Sequence, residues 1–175
     1  QMRRDCRKPL IVLTPKSLLR HKLAVSSLDE LATGGFQRMI ADSTAKGGKK
    51  VARAVLCSGK VYYDLVEEAA KRGVNDVAII RVEQLYPFPR EEVSAQLRKY
   101  PALKDVVWCQ EEPMNQGAWY QIRHHLQAVA PASTTLGYAG RGRSPAPACG
   151  HLSTHVAEQA ALVEQALVGP ARSAT

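Results

Sequence analysis

The chain has 175 residues, 45% of them apolar and 23% charged, enough for one ordinary globular domain with a real core. No apolar run approaches the roughly 20 residues that cross a membrane, and no apolar segment follows the basic start as a secretory signal would. The formal charge of +8 is uneven, with 12 Lys and Arg against 4 Asp and Glu through Arg53 and 12 against 12 beyond it. A basic arm suits nucleic acid, yet this one lacks a helix-turn-helix, a zinc finger and interleaved stacking aromatics, so neither nucleic acid nor membrane is expected as a partner. Cys6, Cys57, Cys109 and Cys149 are far apart and form no Cys-x-x-Cys. That spacing disfavours zinc and fits a reducing, cytoplasmic compartment.

Along the chain, residues 9–14 (Pro-Leu-Ile-Val-Leu-Thr) read as a short buried strand. Residues 43–50, rich in Gly and Lys, read as a loop. Strand and helix then alternate: 51–57 and 61–72, 77–82 and 90–100, 106–109 and 118–129, and a strand at 135–139 before a helix at about 154–168. Val61, Leu65 and Ala69 recur at four residues, and Trp119, Ile122, Leu126 and Val129 share a helical face. Gly73 reads as a helix stop, Ser153 as an N-cap, and Tyr86-Pro-Phe-Pro89 as a sharp turn. The expected fold class is α/β, three-layer, with a parallel-rich sheet and helices on both faces.

Candidate sites lie where strands meet helices. Ser58-Gly-Lys60 follows a strand and opens a helix, so Ser58 and Lys60 are candidates for a regulatory anion. One Gly, and no hydroxyl after Lys60, fall short of a P-loop. The apolar run 106–109 is expected to end in a polar loop that begins at Gln110 and carries Glu111, Glu112, Asn115 and Gln116. Adjacent carboxylates in a loop are not an acid–base pair; one is expected to accept from loop N–H groups while the other faces water. Contact with a subunit or partner is the functional alternative, carried by Glu111, Asn115, Gln116 and Trp119. His151 and His155 are four apart but lack the further ligands a metal requires. His124-His125 has no partner nucleophile, and no Gly-x-Ser-x-Gly is present. No catalytic, cofactor-binding or metal residue is assigned.

Three motifs carry a family likeness: Leu56-Cys-Ser-Gly-Lys-Val-Tyr-Tyr-Asp-Leu65, Arg81-Val-Glu-Gln-Leu-Tyr-Pro-Phe-Pro89 and Trp108-Cys-Gln-Glu-Glu-Pro-Met-Asn-Gln-Gly-Ala-Trp-Tyr120. With Thr14-Pro-Lys-Ser-Leu-Leu-Arg-His21, Ala24-Val-Ser-Ser-Leu-Asp-Glu-Leu-Ala32 and Gly137-Tyr-Ala-Gly-Arg141, they make the chain resemble the C-terminal end of the thiamine-diphosphate-dependent decarboxylating component of the 2-oxoglutarate dehydrogenase complex, of bacterial type. The chain departs from that family at Lys22, at Gly34-Gly35 and around residues 141–149. The resemblance implies a transketolase C-terminal-domain-like fold over 51–175, with 1–50 a remnant of the preceding pyrimidine-binding domain and a connecting loop. It implies a parent that is a homodimer, decarboxylates 2-oxoglutarate, and meets the dihydrolipoyl succinyltransferase component. Thiamine diphosphate and Mg would belong to upstream domains. A 2-oxoadipate dehydrogenase, or a stand-alone acyl-CoA or nucleotide regulatory module, is the alternative; some branches of the family bind an acyl-CoA regulator.

Overall fold

Val106, Val107, Trp108 and Cys109 are each 0% exposed, and that burial on alternate sides dictates the layering. In the computed structural model, which describes residues 5–43, 48–169 and 172–173, these four lie in the strand β4 (Asp105–Pro113). It is preceded by β1 (Met39–Ile40), β2 (Arg53–Cys57) and β3 (Val77–Val82), and followed by β5 (Thr135–Arg141) and β6 (Arg172–Ser173). The sheet order is β1-β3-β2-β4-β5-β6; the four inner strands run parallel, while β1 and β6 are antiparallel edges. Parallel strands require crossovers. These are α2 (Val61–Arg72), α3 (Arg90–Leu97) and α4 (Trp119–Val129), with α5 (Leu152–Leu167) following β5.

Period-two burial in the strands makes two cores. Ala54, Leu56, Ile80, Val106, Trp108 and Tyr138 pack with Val93 and Leu97 of α3 and Trp119, Ile122 and Leu126 of α4. Val55, Cys57, Ile79, Val107, Cys109 and Ala139 pack with Val61 and Leu65 of α2 and Leu162, Val163, Ala166 and Leu167 of α5. This is the expected three-layer α/β arrangement, with α3 and α4 on one face and α2 and α5 on the other. Burial pushes the Cys57 thiol up to about 12 and raises Cys109 as well, so both act as small apolar side chains.

The helix 61–72 and the strand 77–82 stand where the sequence places them. Gly73, at φ 66°, gives α2 its left-handed stop. Other limits shift. The helix expected over 90–100 stops at Leu97. The last helix starts at Leu152 with His151 as N-cap, so Ser153 lies inside the first turn rather than capping it. The extended backbone of His151 (ψ 134°) sets that start, and its carbonyl accepts the first helical bond from His155 at 3.1 Å.

Two compact units divide the chain at Gly34 and Gly35. The first holds a 3-10 turn (Lys16–Leu18) and α1 (Leu28–Thr33), whose Ser27 and Glu30 form a capping box. The strand expected over 9–14 is not formed: Leu10 is 69% exposed and Leu13 is 94% exposed. A strand exists by pairing its backbone, and among the described residues none pairs with this segment. The boundary expected between 50 and 51 falls within the second unit. There β1 pairs with β3, the Arg38 carbonyl accepts from Glu83 and Gln84 at 3.0 Å, and Asp42 Oδ2 accepts from the Ile79 N–H at 2.7 Å. Of the loop expected over 43–50, residues 44–47 lie outside the described residues, and 48–50 form a turn.

Two outcomes follow from this layering. Val107→Asp places an unpaired carboxylate between β4 and the α2–α5 layer and lowers stability by about 3–5 kcal/mol, read by urea denaturation. Removing residues 1–34 leaves the melting temperature of the second unit nearly unchanged. Removal through residue 50 takes away β1 and the Asp42 bond and lowers it, at about 1 kcal/mol per hydrogen bond lost.

Candidate functional site

The carboxyl ends of β2, β4 and β5 are where an open α/β sheet meets its ligands. Gly59, at φ 74°, turns the chain from β2 into α2, and the turn brings Lys60 up beside β4. Its Nζ lies 2.5 Å from Glu111 Oε1 and 3.7 Å from Asp64 Oδ2. Gln159 of α5 donates through Nε2 to Asp64 Oδ2 at 2.7 Å and to Glu111 Oε1 at 2.9 Å. Through Oε1 the same amide accepts from the Arg141 guanidinium at 3.1 Å. That guanidinium also meets His155 Nδ1 at 3.0 Å, and Glu158 Oε2 lies 3.4 Å from Arg141 Nε. Side chains from four elements are thus joined across the sheet end. Lys60, a candidate for a regulatory anion, is held between two carboxylates, which would repel a further anion.

The polar loop expected after Cys109 does not begin there. β4 continues to Pro113 beside β5, with Pro113 opposite Arg141 and a register shift between Cys109 and Pro113. Gln110, 3% exposed, fills that irregularity. Its Oε1 accepts from Trp108 Nε1 at 2.9 Å and from the Trp119 N–H at 3.0 Å. Its Nε2 donates to the carbonyls of Glu112 (3.2 Å), Pro113 (3.1 Å) and Gln116 (2.8 Å). One amide therefore satisfies backbone groups of the turn after β4 and the start of α4. Gly117 closes the turn at φ 66°, where a Cβ would stand 2.9 Å from Gln110 Nε2.

The interface candidates separate accordingly. Trp119 is 2% exposed and packs against Tyr138 with ring centroids 5.2 Å apart, so it is a core residue and not an exposed anchor. Glu111 bonds Lys60 and Gln159 rather than loop N–H groups, while Glu112 is exposed. Asn115 exchanges two bonds with the Ser144 backbone, both 2.9 Å, and Gln116 Nε2 donates to the Ser144 carbonyl at 3.1 Å. These two fasten the loop after β5 to the loop after β4. Ser58 stands apart from Lys60's partners, lining a cavity of about 840 Å³ with Tyr86, Trp108, Gln110 and His125. His125 stacks on Phe88 at 5.2 Å and accepts from Arg90 Nε at 3.0 Å. Desolvation, then His124 and Arg90, hold its pKa below the ordinary imidazole value.

Gln110, Arg141 and Gln159 were not singled out by the sequence as site residues. Gln110 is legible only once β4 is known to run past it. Arg141 ends a quoted motif, and Gln159 carries no signal beyond its helical position. Among the described residues, no group of three His, Cys, Asp or Glu side chains could hold a metal ion.

The model of the family described as 2-oxoglutarate dehydrogenase C-terminal matches residues 25–167. The chain is 54% identical over 167 residues to a 2-oxoglutarate dehydrogenase E1 component of Haemophilus influenzae and 54% identical over 169 residues to one of Azotobacter vinelandii. It is 51% identical over 166 residues to one of Cupriavidus necator. Each match takes in 95% of this chain and 18% of the relative, so the chain spans under a fifth of the length of these relatives. Among solved structures, it is similar to one described as split gene transketolase, inactive beta4 tetramer. That likeness has a TM-score of 0.49 and 16% identity, and it covers 75% of this chain and 43% of the other.

Gln110→Leu keeps the volume of the side chain but strands Trp108 Nε1, the Trp119 N–H and the Gln116 carbonyl, while the carbonyls of Glu112 and Pro113 keep the Tyr138 hydroxyl and the Gln116 N–H. The expected loss is about 2–6 kcal/mol, at roughly 1–3 kcal/mol for each of the two fully buried donors left unmet, measured by denaturant unfolding with Trp fluorescence as probe.

Proposed function

Because this chain belongs to the 2-oxoglutarate dehydrogenase C-terminal family, we propose that it serves as the structural and assembly domain at the C-terminal end of a decarboxylating subunit. That subunit would decarboxylate 2-oxoglutarate and pass the succinyl group to lipoyl groups in the citric acid cycle. In this reading it is a cytoplasmic homodimer, and its partners are the remaining domains of its own subunit and the dihydrolipoyl succinyltransferase component. The relatives reported above are named for 2-oxoglutarate, which supports that substrate over 2-oxoadipate.

One observation carries the structural role: the polar side chains at the sheet's carboxyl end are spent on one another. Lys60, Glu111, Asp64, Gln159 and Arg141 hold α2 and α5 to β4 and β5. The same observation bears on thiamine diphosphate and magnesium. The carboxylates that could meet the metal, Glu111 and Asp64, are held by Lys60 and Gln159, and the lysine that could meet the diphosphate is held by Glu111. These residues do not fit the cofactor, which supports a reading in which its ligands belong to other domains of the subunit, and no catalytic step is assigned to this chain. The pairing of Lys60 also weighs against a stand-alone acyl-CoA or nucleotide module at Ser58 and Lys60.

A chimera tests the role. In the Haemophilus influenzae relative, the matched C-terminal region is replaced by this chain, and 2-oxoglutarate-dependent reduction of an artificial electron acceptor is followed. The expected result is activity within about tenfold of the unaltered enzyme, a loss of up to about 1.4 kcal/mol in transition-state stabilisation. The isolated 175-residue chain should give no saturable heat with thiamine diphosphate and magnesium. A folded but inactive chimera, or stoichiometric binding by the isolated chain, would overturn the proposal.

A further inference from the structure

Arginine brings five donors in a fixed fork, and a buried guanidinium needs most of them met. The Arg141 side chain, at the end of β5, is 9% exposed. One terminal nitrogen is engaged by His155 and Gln159. Its Nε is fully buried and, among the described residues, makes no hydrogen bond. Glu158 Oε2 is 3.4 Å away, near enough for charge attraction but not aligned to accept. Arg141 and Glu158 both line a cavity of about 240 Å³, and the loop after β5 supplies Arg143, Ser144 and Cys149 to the same wall. The Nε edge faces Glu158, itself part of the wall of that space.

The geometry points to a binding site for one small oxyanion, a phosphate or a small carboxylate, anchored on Arg141 and flanked by Arg143 and Ser144. Three features select that class. Two guanidinium groups against one carboxylate leave the wall with a net positive charge. The unmet Nε–H requires an acceptor, and an oxyanion can take Nε–H together with a terminal N–H as paired, charge-assisted bonds. The Ser144 hydroxyl oxygen accepts from the Ala146 N–H at 3.2 Å, and a hydroxyl that accepts still has one hydrogen to donate. The volume lies below the roughly 300 Å³ at which sites for larger ligands begin, so a nucleotide or coenzyme does not fit. Asn115 and Gln116 clamp Ser144 from β4's side, which fixes one wall of the site. Glu158, 43% exposed, is the movable one. It occupies the charge of Arg141 without completing its hydrogen bonds, so an incoming oxyanion displaces it toward solvent. The site shares Arg141 with the structural network proposed above, through the terminal nitrogen that meets Gln159, but uses neither Lys60 nor Glu111.

The experiment follows the Arg side-chain Nε–H resonances of the 15N-labelled chain while inorganic phosphate, acetate or chloride is added at matched ionic strength. Arg141→Lys keeps the charge but removes Nε, and so identifies the peak. Glu158→Gln retains Arg141 and removes the competing carboxylate. Saturable movement of the Arg141 peak with phosphate or acetate but not chloride is expected, roughly two- to fivefold tighter in Glu158→Gln. The stronger of the two oxyanions identifies the ligand as a phosphate or a carboxylate. Equal, non-saturating movement with all three salts would overturn the site, as simple screening. A peak that moves on Glu158→Gln substitution but never with added anion would overturn it too, because Glu158 or water would then be the acceptor in solution. Should Arg141→Lys fail to fold, Arg143→Ala gives the second arm: weakened phosphate binding supports the site, and unchanged binding refutes it.

Discussion

A single buried amide sets the geometry at the working end of this sheet. Where β4 slips register against β5, backbone groups lose their ladder partners, and in a dry interior each loss is expensive. Gln110 is the repair. It accepts from an indole and from the first helical N–H while donating to three carbonyls of the same turn. The direction in which α4 leaves the sheet, the seat of Trp119 in the core and the approach of Gly117 all depend on that side chain being present and neutral. An ionised side chain there would set negative charge against three carbonyl oxygens.

The charged groups nearby are consistent with that frame. Lys60 and Glu111 do not wait for a ligand; with Gln159 and Asp64 they tie α5 to α2 over the ends of the strands. Partly buried pairs of this kind contribute less to stability than their distances suggest, because each ion loses hydration. Their value lies in direction. A helix that packs by apolar contact alone can slide or rotate, whereas one whose Gln159 must meet two carboxylates and a guanidinium has one register.

Much of this was legible in the sequence, and the reason is physical. Mostly apolar runs such as 77–82 and a four-residue repeat such as Val61, Leu65 and Ala69 fix their elements locally, and both stand as expected. Gly73 carries its own signal because a left-handed stop favours glycine. What failed was non-local. Residues 10–13 have the composition of a strand but no partner strand among the described residues, so the same apolarity that predicts burial leaves them exposed. β4 runs past Cys109 because β5 lies beside it, and no local pattern announces that Gln110 turns inward. Trp119 suits a surface or a core; the Gln110 bond to its N–H and the ring of Tyr138 decide for the core. The pairing of Lys60 with Glu111, 51 residues away, depends on two parallel strands lying side by side.

The sheet separates two apolar layers that share no side chain: one holds Trp108, Tyr138 and Trp119, the other Val107, Cys109 and Leu162. Energetic coupling between substitutions travels through contacts. Changes on the α3–α4 side should therefore add to changes on the α2–α5 side with little epistasis, although alternate residues of one strand feed both. Each layer can then vary in sequence on its own schedule. The aromatic side, with the Trp108 ring bonded to Gln110 and Trp119 packed on Tyr138, has few interchangeable solutions, while the aliphatic side, built from Val, Leu, Ile, Ala and Cys, has many of similar volume. Divergence among proteins with this domain should accumulate unevenly, faster beneath α2 and α5 than beneath α4.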